Sequence, residues 1–221
     1  MQVVDLSHTL DSNVQVYPGD PISFSCCPTL TIAEHGCNVS SISMGSHIGT
    51  HVDAPYHFFE HGAAIDKVSL NTFVGPAVVV DLTAKGPRDM ISWADIASHE
   101  DELLRRGPEV ILLLRMGWSK FWQTKQYMDH PFLARDAAQK VINLGVKAIG
   151  VDTFSPDETR VDETTPDFGV HQIVLGAGAV IAENLTNLEA IQEGEWVVSL
   201  VPLKLSGGDG SPIRACAWKQ T

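Results

Sequence analysis

The sequence predicts one α/β domain over residues 1–221, with a mixed β-sheet core and flanking helices. Three observations predict this class. Short apolar runs typical of buried strands alternate along the chain with segments that carry helix start and stop signals. Hydrophobic residues make up 44% of the chain and charged residues 19%, as in a globular protein with an apolar core. No internal repeat, low-complexity linker or composition break divides the chain, so we expect a single domain.

Nine segments have the apolar and β-branched content of strands, and the run 110–114 is so uniformly aliphatic that it predicts a central strand. The second and third segments are linked through Glu34-His35-Gly36, which predicts a hairpin. The predicted strands are 3–6, 23–32, 38–48, 76–82, 109–115, 146–151, 179–183, 195–203 and 213–218.

Four segments carry helix signals between these strands. The signals are a capping Ser92 with a stop at Gly107, an opening Pro131 with a stop at Gly145, an apolar stretch at 168–175, and a capping box at 186–189. The first helix is expected to run to about Arg106. The Gly-rich segment 206–212 lacks the lysine of a phosphate-binding loop and predicts a flexible turn.

The segment 47–57 holds three of the nine histidines of the chain together with an aspartate. In an extended backbone His47, Gly49, His51 and Asp53 share one face, because side chains alternate with a period of two. Imidazole and carboxylate groups are the ligands that Zn, Mn and Fe prefer. Gly49 is expected to leave room for an ion between the histidines. One histidine here would be an ordinary polar residue, but this combination predicts a metal site.

Pro55 is expected to end the strand and to place His57 nearby as a proton carrier rather than a ligand. A helical alternative, with His47 and His51 one turn apart, is weaker because Gly49 and Pro55 disfavour a helix. The glutamate of the HExxH zinc motif is also missing, since the residue after His47 is an isoleucine.

One aspartate and two histidines leave a metal short of ligands, and His171 and Glu183 are the best further candidates. Glu183 ends an apolar predicted strand, where an ionised carboxylate is costly unless it is paired or metal-bound. From the residues alone two alternatives stay open. His171 could be a hydrogen-bonded structural histidine, and Glu183 could pair with a lysine or arginine.

The pattern His-x-Gly-Thr-His-x-Asp-x-Pro-x-His, present from His47 to His57, resembles the signature of the metal-dependent cyclase-like hydrolases. That family includes bacterial kynurenine formamidases and isatin hydrolases. The resemblance implies a swivelling β/β/α fold and a homodimer or homotetramer. It also implies two divalent metal ions, Zn or Mn, and a catalytic role for His57. The implied ligand sets are His47, His51 and Asp53 for the first ion, and Asp53, His171 and Glu183 for the second.

The function implied by the resemblance is that of an arylformamidase-like amidohydrolase. A metal-activated water would open the C–N bond of a small aromatic substrate, namely an aryl formamide, amide or cyclic amide. Tyr17, Phe58 and Phe59 could bind its ring, with Tyr17 the best candidate because it lies in a Pro/Gly turn. The alternatives are a metal-dependent lyase or cyclase and a non-enzymatic protein with a structural metal. The presence of His57 as an imidazole that is not a metal ligand argues against the non-enzymatic alternative, because a structural metal site would not need it.

The formal net charge of −12 argues against binding to nucleic acid or to an anionic membrane. No apolar run reaches the length of a membrane span, and no leader precedes the first predicted strand, so we expect a cytoplasmic protein. The four cysteines form no CxxC pair, and we expect them to be reduced and mostly packed.

Overall fold

A computed structural model describes residues 2–19, 24–160 and 167–219, and nine of its strands form one mixed sheet. The strands in chain order are β1 Val3–Asp5, β2 Ser25–Leu30, β3 Val39–Ser43, β4 His51–Asp53, β5 Val74–Asp81, β6 Met90–Ile91, β7 Ile111–Arg115, β8 Phe132–Leu133, β9 Ala148–Val151, β10 Val180–Glu183, β11 Trp196–Ser199, β12 Gly210–Pro212 and β13 Cys216–Lys219. The order of the strands in the large sheet is β1-β13-β11-β5-β7-β9-β10-β4-β12. This arrangement confirms the predicted α/β class with a mixed sheet.

The middle of the sheet is parallel, and its two sides are antiparallel. Strands β5, β7, β9 and β10 pair in parallel, whereas β4 and β12 continue one side and β11, β13 and β1 the other in antiparallel pairs. Strand β7 is central, as its aliphatic run predicts, and its first four residues are fully buried. A strand with apolar side chains on both faces has to be covered on both sides.

Both faces of the sheet carry an apolar core. Leu112 and Leu114 of β7 pack into one core, and Ile111 and Leu113 pack into the other, as the period of two requires. The first core also holds residues of the helices that cover this face, among them Val141 and Val174. The metal-ligand candidates lie at the antiparallel end formed by β10, β4 and β12.

Five α-helices are present in the described residues, and the last of them lies where the apolar stretch 168–175 predicts a helix. They are α1 Ile32–His35, α2 Trp93–Ile96, α3 Glu100–Arg106, α4 Arg135–Asn143 and α5 Gly169–Gly176, with short 3-10 helices at Pro55–His57, Leu70–Thr72, Ala97–His99, Ser119–Phe121, Lys125–Asp129 and Leu188–Ile191. Ser92 caps α2 through a capping box with Asp95, but a 3-10 turn separates α2 from α3, so the single predicted helix is wrong.

Two predicted helix starts are also wrong. Pro131 does not open a helix, because the next two residues form β8 and pair with β6, and α4 begins only at Arg135. The predicted capping box at 186–189 does not form. Asn187 has a left-handed backbone there (φ 56°), makes no side-chain cap, and leads into a short 3-10 helix.

Two other expectations, on the Gly-rich segment and on the cysteines, are also wrong, and one call cannot be compared. Ser23, the predicted first residue of the second strand, lies outside the described residues. The segment predicted to be a flexible turn contains β12, which pairs with β4. The cysteines are free but not packed, because Cys26, Cys27 and Cys37 are exposed and Cys216 is partly exposed. Among the described helices, none has the length and apolar character needed to cross a membrane.

Candidate metal centre

The site is built on β4, which lies between β10 and β12 and is antiparallel to both. The register places Glu183 of β10 directly opposite His51, and Gly210 of β12 directly opposite Asp53. Residues opposite each other in an antiparallel pair share a face of the sheet. Sheet pairing therefore brings Glu183, which is distant in sequence, beside His51. His51 and Asp53 are only 2% and 1% exposed.

His47 does not belong to this strand, so the predicted extended run from 47 to 53 is wrong in its first half. Residues 46–50 form a turn and a bend, and Gly49 has a left-handed backbone (φ 60°). The space beside Gly49 is not open for an ion, since a Cβ there would clash with the side chain of Leu10. The turn nevertheless brings the His47 Nδ1 to 2.7 Å from Asp53 Oδ1. Gly210 permits this, because a Cβ on it would lie 2.7 Å from the His47 ring.

Two imidazoles and two carboxylates meet at the floor of the site. The His51 Nε2 lies 3.2 Å from Asp53 Oδ1 and 3.4 Å from Glu183 Oε2. His171, on α5, points its Nε2 at the same two carboxylates, 3.3 Å from Asp53 Oδ2 and 3.3 Å from Glu183 Oε1. Each carboxylate therefore faces both imidazoles.

These residues fit a bound cation. Asp53 Oδ2 and Glu183 Oε1 are buried and lack a hydrogen-bond partner, and a buried carboxylate oxygen without a partner is costly. In the described residues two groups of three have ligand atoms within 4.8 Å of one another, namely His47, Asp53 and His57, and His51, Asp53 and Glu183. Asp53 belongs to both groups. A nitrogen and carboxylate donor set of this kind suits Zn or Mn.

The carboxylates and imidazoles of the site shift each other's pKa values. Burial alone lowers the pKa of His47, but Asp53 and Asp209 outweigh burial and raise its pKa to about 10. The pKa of His171 is also raised well above its usual range, because Asp157, Asp53 and Glu183 together outweigh its burial. Burial raises the pKa of Asp53, yet the surrounding imidazoles hold it well below its ordinary value. A divalent cation would supply the same compensating charge.

Two side chains that the sequence analysis did not single out orient the imidazoles. Asp157 accepts a 2.6 Å hydrogen bond from His171 Nδ1, and it also accepts bonds from the backbone N–H groups of Val170 and His171. The His51 Nδ1 donates to the carbonyl of Gly49 at 2.8 Å, and Asn184 Nδ2 donates to the same carbonyl at 2.9 Å. The hydrogen bonds made by Nδ1 of His171 and Nδ1 of His51 leave the Nε2 of each ring free to face the carboxylates. This arrangement is typical of metal-binding histidines.

His57 lies at the edge of the site rather than on its floor. It ends the 3-10 helix that follows Pro55, and its side chain is 29% exposed. Its ring stacks on that of His47, with centroids 3.9 Å apart, and its Nδ1 lies 3.7 Å from Asp209 Oδ2. The same Asp209 oxygen accepts a 3.0 Å hydrogen bond from His47 Nε2. His57 therefore faces both the ligand cluster and the solvent.

A cavity of about 430 Å³ opens above this floor, and aromatic rings form one of its walls. Its aromatic lining residues are Tyr17, Phe58, Phe154 and Phe168. Tyr17 packs against Phe154 with ring centroids 5.8 Å apart, and Phe58 stacks on the His171 ring at 5.0 Å. The cavity thus places an apolar wall directly beside the candidate ligands. Phe59 does not line it and is 37% exposed.

The structure brings all six predicted site residues to this cavity, together with Tyr17. The assignment of the ligands to two ions stays a prediction, and the spatial grouping divides them differently by placing His57 with His47 and Asp53. Asp152, directly after β9, accepts hydrogen bonds from the backbone N–H groups of Met116 and Gly117. It contacts the loop after β7 and not the ligands.

Sequence reasoning missed Asp157, Asn184 and Asp209. Each had a weak signal: Asn184 directly follows the candidate ligand Glu183, Asp157 follows the end of a buried strand, and Asp209 lies in the Gly-rich segment. Polar residues with such neighbours are common in turns, and only the folded arrangement separates these from the others.

The Cyclase family model matches residues 4–158, which is more than half of the chain. Among curated relatives, the kynurenine formamidase of Delftia acidovorans is 33% identical over 214 residues, covering 96% of this chain and 94% of that protein. The kynurenine formamidase of Geobacillus thermodenitrificans is 32% identical over 220 residues, covering 98% of this chain and 97% of that protein.

Solved structures are similar over the whole chain. An isatin hydrolase bound to the product analogue thioisatinate has a TM-score of 0.88 at 21% identity, covering 100% of this chain and 93% of that one, and it supports the fold. Isatin hydrolase A from Labrenzia aggregata, bound to benzyl benzoate, has a TM-score of 0.86 at 29% identity, covering 98% of this chain and 93% of that one.

Proposed function

The chain belongs to the Cyclase family and is a metal-dependent hydrolase, and we propose that it cleaves the C–N bond of an aryl formamide or cyclic aryl amide. One observation carries the proposal. Two buried carboxylates with unpaired oxygens and the imidazoles around them form the floor of a cavity whose wall is aromatic. Cation ligands and a binding surface for an aromatic ring are therefore adjacent.

The proposed cofactors are two divalent ions, Zn or Mn. His47, His51 and Asp53 would hold the first, and Asp53, His171 and Glu183 the second, with Asp53 shared between them. Such ions, when bound, polarise a carbonyl group and lower the pKa of a water molecule toward neutral pH. The unpaired oxygens of Asp53 and Glu183 support this assignment, because a cation would satisfy them both.

His57 is the proposed proton carrier. It accepts a proton from the attacking water as the water oxygen adds to the carbonyl carbon, and it returns this proton to the nitrogen as the C–N bond breaks. Its position supports this role, since it lines the cavity and is partly open to solvent. Asp209 Oδ2 lies 3.7 Å from the His57 Nδ1, on the side of the ring that faces the cavity rim.

The aromatic wall is proposed to hold the ring of the substrate. Tyr17, Phe58, Phe154 and Phe168 offer apolar surface on which an aryl group can stack and from which it excludes water. An arylamine also leaves more readily than an alkylamine, because its lone pair delocalises into the ring. One imidazole can therefore suffice as the acid.

A lyase or cyclase reaction is not favoured, because the curated relatives that match nearly the whole chain are named as formamidases. A cytoplasmic location is part of the same proposal, and the free thiols support it.

Turnover of a small substrate panel by the metal-replete protein tests the activity. We expect N-formylkynurenine, formanilide or isatin to react much faster than an aliphatic formamide, with release of formate or of a ring-opened carboxylate. Equal turnover of the aliphatic compound would contradict the role of the aromatic wall. If none reacts, the hydrolase proposal fails and the lyase or cyclase alternative replaces it.

Elemental analysis tests the cofactor. We expect two ions per chain, because the proposed ligands exceed what one tetrahedral zinc with an open position can use. The metal found in protein purified without added ions distinguishes Zn from Mn. A single ion that persists after supplementation with metal would contradict the second ligand set.

A further inference from the structure

A buried tyrosine between β7 and β8 makes a hydrogen bond toward the candidate metal centre. Tyr127 lies in the 3-10 helix Lys125–Asp129, and its side chain is fully buried. Its ring packs edge-to-face against Trp122 and Phe154, with centroids 5.3 and 5.8 Å away. Its hydroxyl lies 3.0 Å from Asn184 Oδ1. A phenylalanine would fill the same space without the cost of burying a hydroxyl, so the hydroxyl indicates a role for this bond.

The direction of each hydrogen bond around Asn184 follows from the chemistry of the partners. A backbone carbonyl can only accept, so the Gly49 oxygen accepts from His51 Nδ1 at 2.8 Å and from Asn184 Nδ2 at 2.9 Å. The Asn184 amide therefore turns its Oδ1 toward Tyr127, and the hydroxyl donates to it. Burial raises the pKa of Tyr127 well above its ordinary value, so this donor keeps its proton.

A second bond ties the same asparagine to the turn before β4. Thr50 Oγ1 donates to the Asn184 backbone carbonyl at 2.6 Å, while the Asn184 side chain donates back to Gly49. Asn184 has a left-handed backbone (φ 56°), a conformation that asparagine adopts more readily than most residues. These bonds hold the end of β10 against the turn, and the Tyr127 hydroxyl satisfies the remaining buried oxygen of the amide.

We propose that Tyr127 is a positioning residue for the candidate ligand His51. Its hydroxyl holds the Asn184 amide, the amide holds the Gly49 carbonyl, and this carbonyl holds the Nδ1–H of the imidazole. The lone pair on Nε2 then faces the two carboxylates on the floor of the site. A ring that is already oriented loses less freedom when it binds a cation, so the Tyr127 hydroxyl raises metal affinity. The inference rests on the proposed role of His51 as a metal ligand.

Metal affinity tests this role through Tyr127→Phe, which removes the hydroxyl and keeps the ring. We expect the affinity for chelator-buffered Zn²⁺ and Mn²⁺ to fall about tenfold, the lower end of the effect of losing a supporting group. Ser211→Ala is the matched control. Its hydroxyl is equally buried and bonds to two backbone groups, but it lies opposite Val52, whose side chain points away from the ligands. Equal losses of affinity in the two variants would overturn the proposal.

A double-mutant cycle tests whether Tyr127 acts through Asn184. Asn184→Gly removes the amide, and glycine suits the left-handed backbone at this position. In the Asn184→Gly protein, Tyr127→Phe should lower metal affinity by less than about twofold, because the bond that it removes is already absent. Losses that add in full in the double variant would show that the hydroxyl acts by another route, and the proposal would be wrong.

Hydrogen exchange at the His51 ring gives a measurement that needs no metal. In isotope-labelled, metal-free protein, NMR should show a His51 Nδ1–H that exchanges slowly with water, and its signal should be absent from His51→Gln. Tyr127→Phe should speed up this exchange about tenfold, as expected for a weakened hydrogen bond, whereas Ser211→Ala should not. Unchanged exchange in Tyr127→Phe would overturn the positioning role. Faster exchange in a protein that binds neither metal would support this role and overturn the proposed cofactor instead.

Discussion

Strand β4 and the hairpin of β2 and β3 (residues 25–43, called the hairpin arm below) are near neighbours in sequence but opposite in character. The arm ends with β3 at Ser43, and β4 begins at His51. β4 is buried on both sides by β10 and β12 and carries a histidine and an aspartate that are almost inaccessible to solvent. The arm is exposed along most of its length and carries apolar side chains such as Ile42.

Each region breaks the usual distribution of polar and apolar residues, in opposite directions. Ionisable groups buried in β4 are costly unless something balances their charge, and a cation does so. Apolar side chains exposed on the arm are costly unless something covers them. Local violations of folding rules are expected at functional sites. Buried ionisable groups at β4 indicate a bound cation, whereas exposed apolar side chains on the arm indicate an interaction surface.

The largest effect is expected at Asp53, which contacts His47, His51 and His171. Asp53→Asn should remove both ions and abolish turnover, because a neutral amide bridges two cations poorly. Elemental analysis of the purified variant measures this. Ile42→Asp, a similarly drastic change in the hairpin arm, should leave the metal content unchanged. Retention of one ion by Asp53→Asn would show that one ligand set does not need the shared carboxylate.

A smaller effect is expected at His57, at the solvent edge of the same cluster. His57→Ala should lower kcat by about two to four orders of magnitude, the usual contribution of a positioned acid–base group. The metal content should stay the same, since His57 is not among the proposed ligands. Parallel loss of metal would instead assign His57 to the ligand group that it forms in space with His47 and Asp53.

Asp157 should affect metal binding without touching the metal. Asp157→Asn weakens the bond that orients His171, and changes of this kind typically lower metal affinity by about 10- to 100-fold. Titration with a chelator-buffered metal measures the affinity. Asp152→Asn is the matched control, because Asp152 is equally buried and also accepts backbone N–H groups but contacts no candidate ligand. Equal losses in the two variants would mean a general structural effect.

The sequence predicted the parts of this molecule that depend on local patterns. The aliphatic run of β7 predicted a central strand, and the spacing from His47 to His57 predicted a metal site, since both signals lie within a few residues. The backbone at 46–50 was not predictable in this way. A turn and a bend there, with Gly49 in a left-handed conformation beside Leu10, replace the expected strand, and that packing depends on a distant part of the chain.

Long-range contacts explain the other failures. The role of Pro131 was mistaken because pairing of β8 with β6 competes with helix formation there. Glu183 and His51 lie side by side because of the register of β10 against β4, and no local sequence pattern encodes this register. Asp157 and Asp209 act through histidines far away in sequence. Residue type alone does not distinguish such aspartates from those that cap turns.

The smallest effect is expected in the aromatic wall, at Tyr17. Its ring lies beside Phe154 and Phe168 in the cavity. Because the ring is proposed to hold the substrate equally in the ground and transition states, Tyr17→Ala should raise KM for aryl substrates by about tenfold with little change in kcat. Phe59→Ala is the control, since Phe59 is an aromatic residue near the site that does not line the cavity. A fall in kcat at constant KM would instead mean that Tyr17 acts on the reacting groups, and the separation between wall and metal centre would be wrong.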